Sequence, residues 1–163
     1  QPLLTMTSLR PLTSQDHPEI VEVYRDAVLS QAPRLYSPEQ VRAWAQLAAG
    51  RASLPRELER GTGLVSTGSG GEGIEAFALL EPADRLSLLY CRGRSSRQGR
   101  GRALLRALEA LARDAGTPKL RTEASFLSRP LFEREGWQVD RFETLPLAGV
   151  IFHRFRMSKW LQG

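Results

Sequence analysis

Apolar positions along the chain switch between helical and strand periodicity. Ile20, Val23, Tyr24, Ala27 and Val28 recur at the spacing of one helix face, and Asp16-His17-Pro18-Glu19 ahead of them reads as an N-cap with proline in the first turn. Ser37-Pro38-Glu39-Gln40 repeats that start signal and leads into a second inward face of Val41, Trp44, Ala45 and Ala48, ended by Gly50. Residues 51–61 are polar and interrupted by Pro55, which predicts a loop or a short turn-rich piece. Residues 64–67, 74–80 and 85–91 read as three strands in meander order, joined through Ser69-Gly70-Gly71-Glu72-Gly73 and Glu81-Pro82-Ala83-Asp84. A loosely alternating apolar segment, residues 3–12, precedes them all.

A long helix is predicted over 101–115, with Leu104, Leu105, Leu108, Leu111 and Ala112 as its buried stripe and Gly116 as a left-handed cap. Residues 119–125 then alternate as a strand, and Ser128-Arg129-Pro130 opens a short helix that Gly136 stops. Strands at 139–145 and 150–157 close the chain, and the second sets Ile151, His153, Phe155 and Met157 on its apolar side, opposite Phe152, Arg154 and Arg156. The fold class is therefore α/β (α+β), a single domain over 1–163. Its mixed, mostly antiparallel sheet has about six to seven strands, about four helices flank it, and a parallel crossover runs through the helix at 101–115.

Apolar residues at 41% and charged residues at 25% are an ordinary globular balance, with no long apolar run and no basic, apolar leader at the start. A soluble cytoplasmic protein is expected. The single cysteine, Cys91, excludes an internal disulfide, and His17 and His153 lack zinc-ligand spacing, so no metal is expected. A net charge of +5 favours anionic ligands, and arginines are densest at Arg92, Arg94, Arg97, Arg100 and Arg102. Nucleic-acid binding would interleave such a cluster with stacking aromatics, whereas only Tyr90 lies close; a small phosphorylated ligand suits it better.

The richest segment is Ser96-Arg97-Gln98-Gly99-Arg100-Gly101-Arg102, which follows the apolar strand 86–91 and opens the long helix. Unpaired N–H groups and the positive end of the helix dipole meet there beside two glycines that let an anion approach, which makes a phosphate seat. The dinucleotide fingerprint is excluded, because Leu104 stands where its third glycine is needed.

The run LLYCRGRSSRQGRGRALL (88–105) resembles the signature of the GCN5-related N-acetyltransferases, with Gly99 and Gly101 at the paired glycines, Cys91 at a valine and Gly93 at a proline. SFLSRPLFEREGW (125–137) is similar to a later segment of that family, with Ser125 at an asparagine, Ser128 at an alanine, Phe132 at a tyrosine, and Gly136-Trp137 at Gly-Phe. The segments 36–45 and 155–161 resemble one bacterial branch of it. Ser96, Ser125 and Phe132 depart from the family pattern.

The resemblance implies the acyl-CoA N-acyltransferase fold, with the parallel strands 86–91 and 119–125 splayed at the centre and acetyl-CoA as cosubstrate. The diphosphate would lie on Arg97, Gln98, Gly99, Arg100, Gly101 and Arg102. Leu89, Cys91, Arg92, Ser125, Ser128 and Phe132 would border the rest of the cofactor. The implied reaction is direct attack of a primary amine, on a small molecule or peptide, within a ternary complex, by a monomer or homodimer. A backbone N–H near Cys91 or Arg92 is the implied oxyanion donor.

For the base, Glu123 shares a strand face with Arg121 and Ser125 and either faces the cleft or forms an ion pair with Arg121 or Arg129. Phe132 has no proton to give, which leaves water, Ser125, Ser128 or Tyr90 as donors to the leaving thiolate. Cys91, with no histidine in its segment, reads as a small buried hydrophobe. Missing family groups also allow a second reading, a catalytically weak acetyl-CoA-binding sensor or scaffold of the same fold.

Overall fold

The computed structural model describes residues 8–68 and 71–162. Seven strands form one sheet: β1 (Ser8–Pro11), β2 (Thr62–Thr67), β3 (Ile74–Leu80), β4 (Arg85–Cys91), β5 (Lys119–Ala124), β6 (Gln138–Leu147) and β7 (Val150–Trp160). Their order is β1-β2-β3-β4-β5-β7-β6, and every neighbouring pair is antiparallel except β4–β5. The helices are α1 (His17–Gln31), α2 (Pro38–Gly50), α3 (Leu54–Arg60), α4 (Arg100–Asp114) and α5 (Arg129–Arg134).

Two apolar cores sandwich the sheet. On one face α1 and α2 lay Ile20, Tyr24, Val28 and Val41 against Phe77, Leu88 and Phe152; on the other α4 and α5 lay Leu104, Leu105, Leu108 and Phe132 against Ala78, Leu86, Leu120 and Met157. The inward face expected of α1 is the one buried, and Ser37 caps α2 by accepting the Gln40 N–H at 3.1 Å.

Four expectations are corrected. Residues 54–60 form α3 rather than loop, because Pro55 falls in the first turn, where a missing N–H is harmless, and Leu54 and Leu58 bury one side. Asp16 does not cap α1; it closes a 3₁₀ turn by accepting the Thr13 N–H at 2.8 Å and pairs with Arg10. On α4 Leu111 is exposed and Glu109 is buried, its carboxylate accepting from Trp137 Nε1 and Lys159 Nζ, each at 2.8 Å. On β7 both faces are buried, at different points: Phe152 lies under α1 and α2, Phe155 and Met157 under α4 and α5, and the Ile151 side chain is exposed. Parts of the expected segment at 3–12 and of the glycine-rich connection at 69–73 lie outside the described residues.

The central parallel pair opens almost at once. β4 and β5 share only Arg85↔Arg121 and Leu86↔Thr122. The cause lies in the β3–β4 register, which passes from Leu80↔Leu86 to Leu79↔Leu88 and leaves Ser87 as an extra residue. Such a bulge bends its strand and reverses the side-chain faces beyond it. Accordingly Leu86 packs with α4 and Leu88 with α1 and α2.

Candidate active-site cleft

A cavity of about 220 Å³ occupies the opening between β4 and β5. Gln31, Trp44 and Tyr90 line it from the α1–α2 side, and Gly101, Ser128, Leu131 and Phe132 from the α4–α5 side, so it reaches through the sheet. The Arg92 N–H donates to Glu75 O at 2.8 Å. Antiparallel alternation then turns Tyr90 and Leu88 toward β3, and the N–H and C=O groups of Leu89 and Cys91 toward the gap. Of the two N–H groups expected to face an oxyanion, Arg92's is thus occupied and Cys91's is not directed at β3. Gln31 Nε2 donates to Cys91 O at 2.7 Å.

The turn after β4 is held from below. The Gly93 N–H donates to Asp26 at 2.8 Å, Arg94 forks onto Glu75 at 3.0 and 2.7 Å, and the Ser95 hydroxyl donates to the same carboxylate. The Arg94 hydrogen bonds and Ser95 hold the Glu75 carboxyl down at about 2 against the cost of burial. Gly99 takes φ 81° as the residue before α4, a conformation that favours glycine. Among the described residues the backbone N–H groups of Arg97 through Arg102 meet no protein acceptor, and the first satisfied N–H is that of Ala103, on Gly99 O at 3.0 Å. An arc of free donors at a helix start fits a diphosphate.

The neighbouring side chains contribute less than expected. Arg100 is buried and donates to Ser66 Oγ at 2.9 Å and Thr67 O at 3.1 Å, tying α4 to β2. Arg102 pairs with Glu135 at 3.1 Å, Arg92 donates to Ile74 O at 2.9 Å, and Gln98 accepts from Arg100 Nε at 3.3 Å. Arg97 is exposed and, among the described residues, pairs with no carboxylate. The expected contribution of Arg100 and Arg102 to an anion therefore reduces to their main-chain donors. Among the described residues four of the five arginines are paired within the chain, although Arg94, Arg97 and Arg102 lie at the surface.

Glu123 borders the cleft, and its partner is neither Arg121 nor Arg129 but Arg85, which donates to Oε1 through Nε at 3.0 Å and Nη2 at 2.8 Å. Oε2 lies 4.0 Å from Arg156 Nη1. Tyr90 stacks on Tyr24 at 4.2 Å, its hydroxyl accepts from Trp44 Nε1 at 3.1 Å, and burial pushes the phenol well above its usual range. Burial likewise raises the Cys91 thiol to about 11, which keeps it protonated near neutrality; the residue is half-buried and lines the cleft. Ser125 Oγ accepts the N–H groups of Leu127 and Ser128, both at 3.1 Å, and lies 3.2 Å from Ser128 Oγ. Phe132 is buried against Trp137, ring centres 4.9 Å apart, and also lines the cleft.

Gln31 was not anticipated. As the last, polar residue of α1 it carries no periodic signal, and only the fold brings it to the end of β4. Tyr36, just before α2, does not line the cleft, but its hydroxyl accepts the Phe126 N–H at 2.9 Å and fixes the turn after β5. His153 bonds Thr144 Oγ1 at 2.8 Å on the β6–β7 hairpin and does not line the cleft. Among the described residues no cluster of metal-ligating side chains is present.

An opened parallel pair beside a helix start with free N–H donors, in a seven-stranded mixed sheet, defines the acyl-CoA N-acyltransferase fold. The acetyltransferase (GNAT) domain model matches residues 33–159, and the chain belongs to that family. A GCN5-related N-acetyltransferase from Rhodopseudomonas palustris superposes with a TM-score of 0.89 at 26% identity, covering 96% of each chain. The PaiA N-acetyltransferase of Thermoplasma acidophilum, solved with coenzyme A, gives 0.72 at 17% identity over 94% of this chain and 98% of its own. YncA from Salmonella typhimurium, solved with acetyl-CoA, gives 0.64 at 19% over 96% and 95%. No curated protein sequence matches the chain.

Proposed function

We propose that this chain transfers the acetyl group of acetyl-CoA to a primary amine of a small molecule or peptide, by direct attack within a ternary complex. The observation that carries the reading is the free arc of N–H donors from Arg97 to Arg102, set at one side of a gap that crosses the sheet. Acetyl-CoA supplies the activated thioester. The arc receives its diphosphate, and the backbone N–H and C=O of Leu89 pair with its amide-bearing arm. The Cys91 N–H supports the oxyanion, and the amine enters from the side of Gln31, Trp44 and Tyr90. Glu123 Oε2, the carboxylate oxygen that Arg85 leaves free, takes the amine proton directly or through water. The protein works as a single cytoplasmic domain, and the described residues contain no helix long and apolar enough to cross a membrane.

Calorimetry with acetyl-CoA tests the binding half of this reading. Gly99→Ala finds open space for its Cβ but must adopt φ 81°, so the dissociation constant should rise by about tenfold. Absent binding by the wild type would end the proposal. The second reading, a sensor or scaffold of low turnover, is favoured by the ion pair that engages Glu123 and by the missing hydroxyl at Phe132. Amine-dependent release of free thiol across an acceptor panel separates the two, since a sensor releases none.

A further inference from the structure

Six hydroxyl or thiol side chains line the cleft: Ser87, Tyr90, Cys91, Thr122, Ser125 and Ser128. Ser87 donates to Leu79 O at 3.3 Å, Cys91 to Arg92 O at 3.4 Å, and Thr122 to Leu86 O at 2.7 Å. The two serines at the end of β5 are settled by counting lone pairs. Ser125 Oγ already accepts two N–H groups, so across the 3.2 Å contact it must be the donor and Ser128 Oγ the acceptor. Ser128 Oγ also accepts the Ser125 N–H at 3.0 Å, which fills its second lone pair. Its own proton then has no acceptor among the described residues and is left for the cleft. Tyr90 lies on the opposite side, between Tyr24 and Trp44. Ser128 instead shares its side with Gly101 and Leu131, and Phe132, four residues on and so on the same helical face, closes the wall without a polar atom.

We propose that Ser128 donates a hydrogen bond to the sulfur of coenzyme A as it departs; this rests on the acetyltransferase reading. As the amine nitrogen bonds to the carbonyl carbon and the carbon–sulfur bond breaks, the electron pair stays on sulfur and the amine proton leaves with Glu123 or water. Ser128 keeps its proton, because an alcohol is a far weaker acid than a thiol, and stabilises the thiolate by charge-assisted hydrogen bonding. Ser125 is a positioning residue whose donated bond orients the Ser128 hydroxyl.

The thiolate's ultraviolet absorbance, titrated with pH, reads the acidity of coenzyme A bound to the wild type, Ser128→Ala and Ser128→Thr. Removing the hydroxyl should weaken thiolate binding by about tenfold, which raises the bound thiol's pKa by about one unit. Ser128→Thr should restore the wild-type value, and acetyl-CoA affinity should stay within about threefold throughout. In the wild type alone, affinity for coenzyme A should rise with pH as the thiol ionises, while affinity for desulfo-coenzyme A stays flat. Equal thiol acidity in wild type and Ser128→Ala, a parallel loss of acetyl-CoA binding, or a flat wild-type profile overturns the assignment alone. A wild type that binds no acetyl-CoA overturns the acetyltransferase reading together with it.

Discussion

Beneath the turn proposed to seat the diphosphate lies a carboxylate, Glu75, at a place where negative charge would oppose it. Its charge is spent downward: Arg94 and Ser95 both donate to it, and the turn that leads to Gly99 is held by these bonds. Because its folded pKa of about 2 lies below the usual 4.5, the associated stability is fully present above pH 4.5. It is lost as pH falls from there through about 2. Glu75→Gln should therefore cost roughly 1.5–3 kcal/mol near neutrality, the range for hydrogen bonds to a charged group. Urea midpoints of variant and wild type should converge as the pH is lowered from about 6 to about 3. A gap of constant size across that range would show that the carboxylate's charge is irrelevant to the turn. The sequence marked the glycines of this turn but not Glu75, which is an alternating position of β3 with no local sign of its partners.

Elements were legible where periodicity and punctuation agreed, as in the capped start of α2, the strands β3 and β4 at their expected bounds, and the Gly116 and Gly136 stops at φ 87° and 89°. They were misread where a tertiary contact outweighed local character. Helix α3 hides in a polar stretch because two leucines four residues apart suffice to anchor seven residues. Helix α4 turns a glutamate rather than a leucine inward, since Trp137 and Lys159 supply Glu109 with two donors. That exchange predicts an asymmetry. Trp137→Phe leaves Glu109 Oε2 buried without its indole donor and should cost about 1–3 kcal/mol. Leu111→Ala, though a larger apolar loss on paper, should stay within about 0.5 kcal/mol because the side chain lies at the surface. Chemical denaturation of both variants measures the difference, and a costlier Leu111→Ala would restore the leucine stripe.

At the scale of the whole molecule, the net charge of +5 gives little guide to what is bound. Most of the arginine cluster is paired with Glu75, Ile74 O, Ser66, Thr67 O and Glu135, so the proposed binding surface rests on main-chain donors instead. A protein that leaves such groups unpaired at the middle of its sheet is incomplete there until a ligand pairs them. Stabilisation by acetyl-CoA should therefore be both large and local. At a ligand concentration 100 times the dissociation constant, mass action adds about 2.7 kcal/mol, which for a domain of this size raises Tm by about 5–10 °C. Hydrogen exchange should slow at Leu89, Cys91 and Arg97 to Arg102, while the exposed edge strand β6 keeps its rates. Protection centred on the β6–β7 hairpin would place the ligand elsewhere. Protection of 97–102 without the β4 amides would seat the diphosphate yet leave the thioester outside the gap, a geometry in which no acetyl group could reach an amine entering beside Gln31.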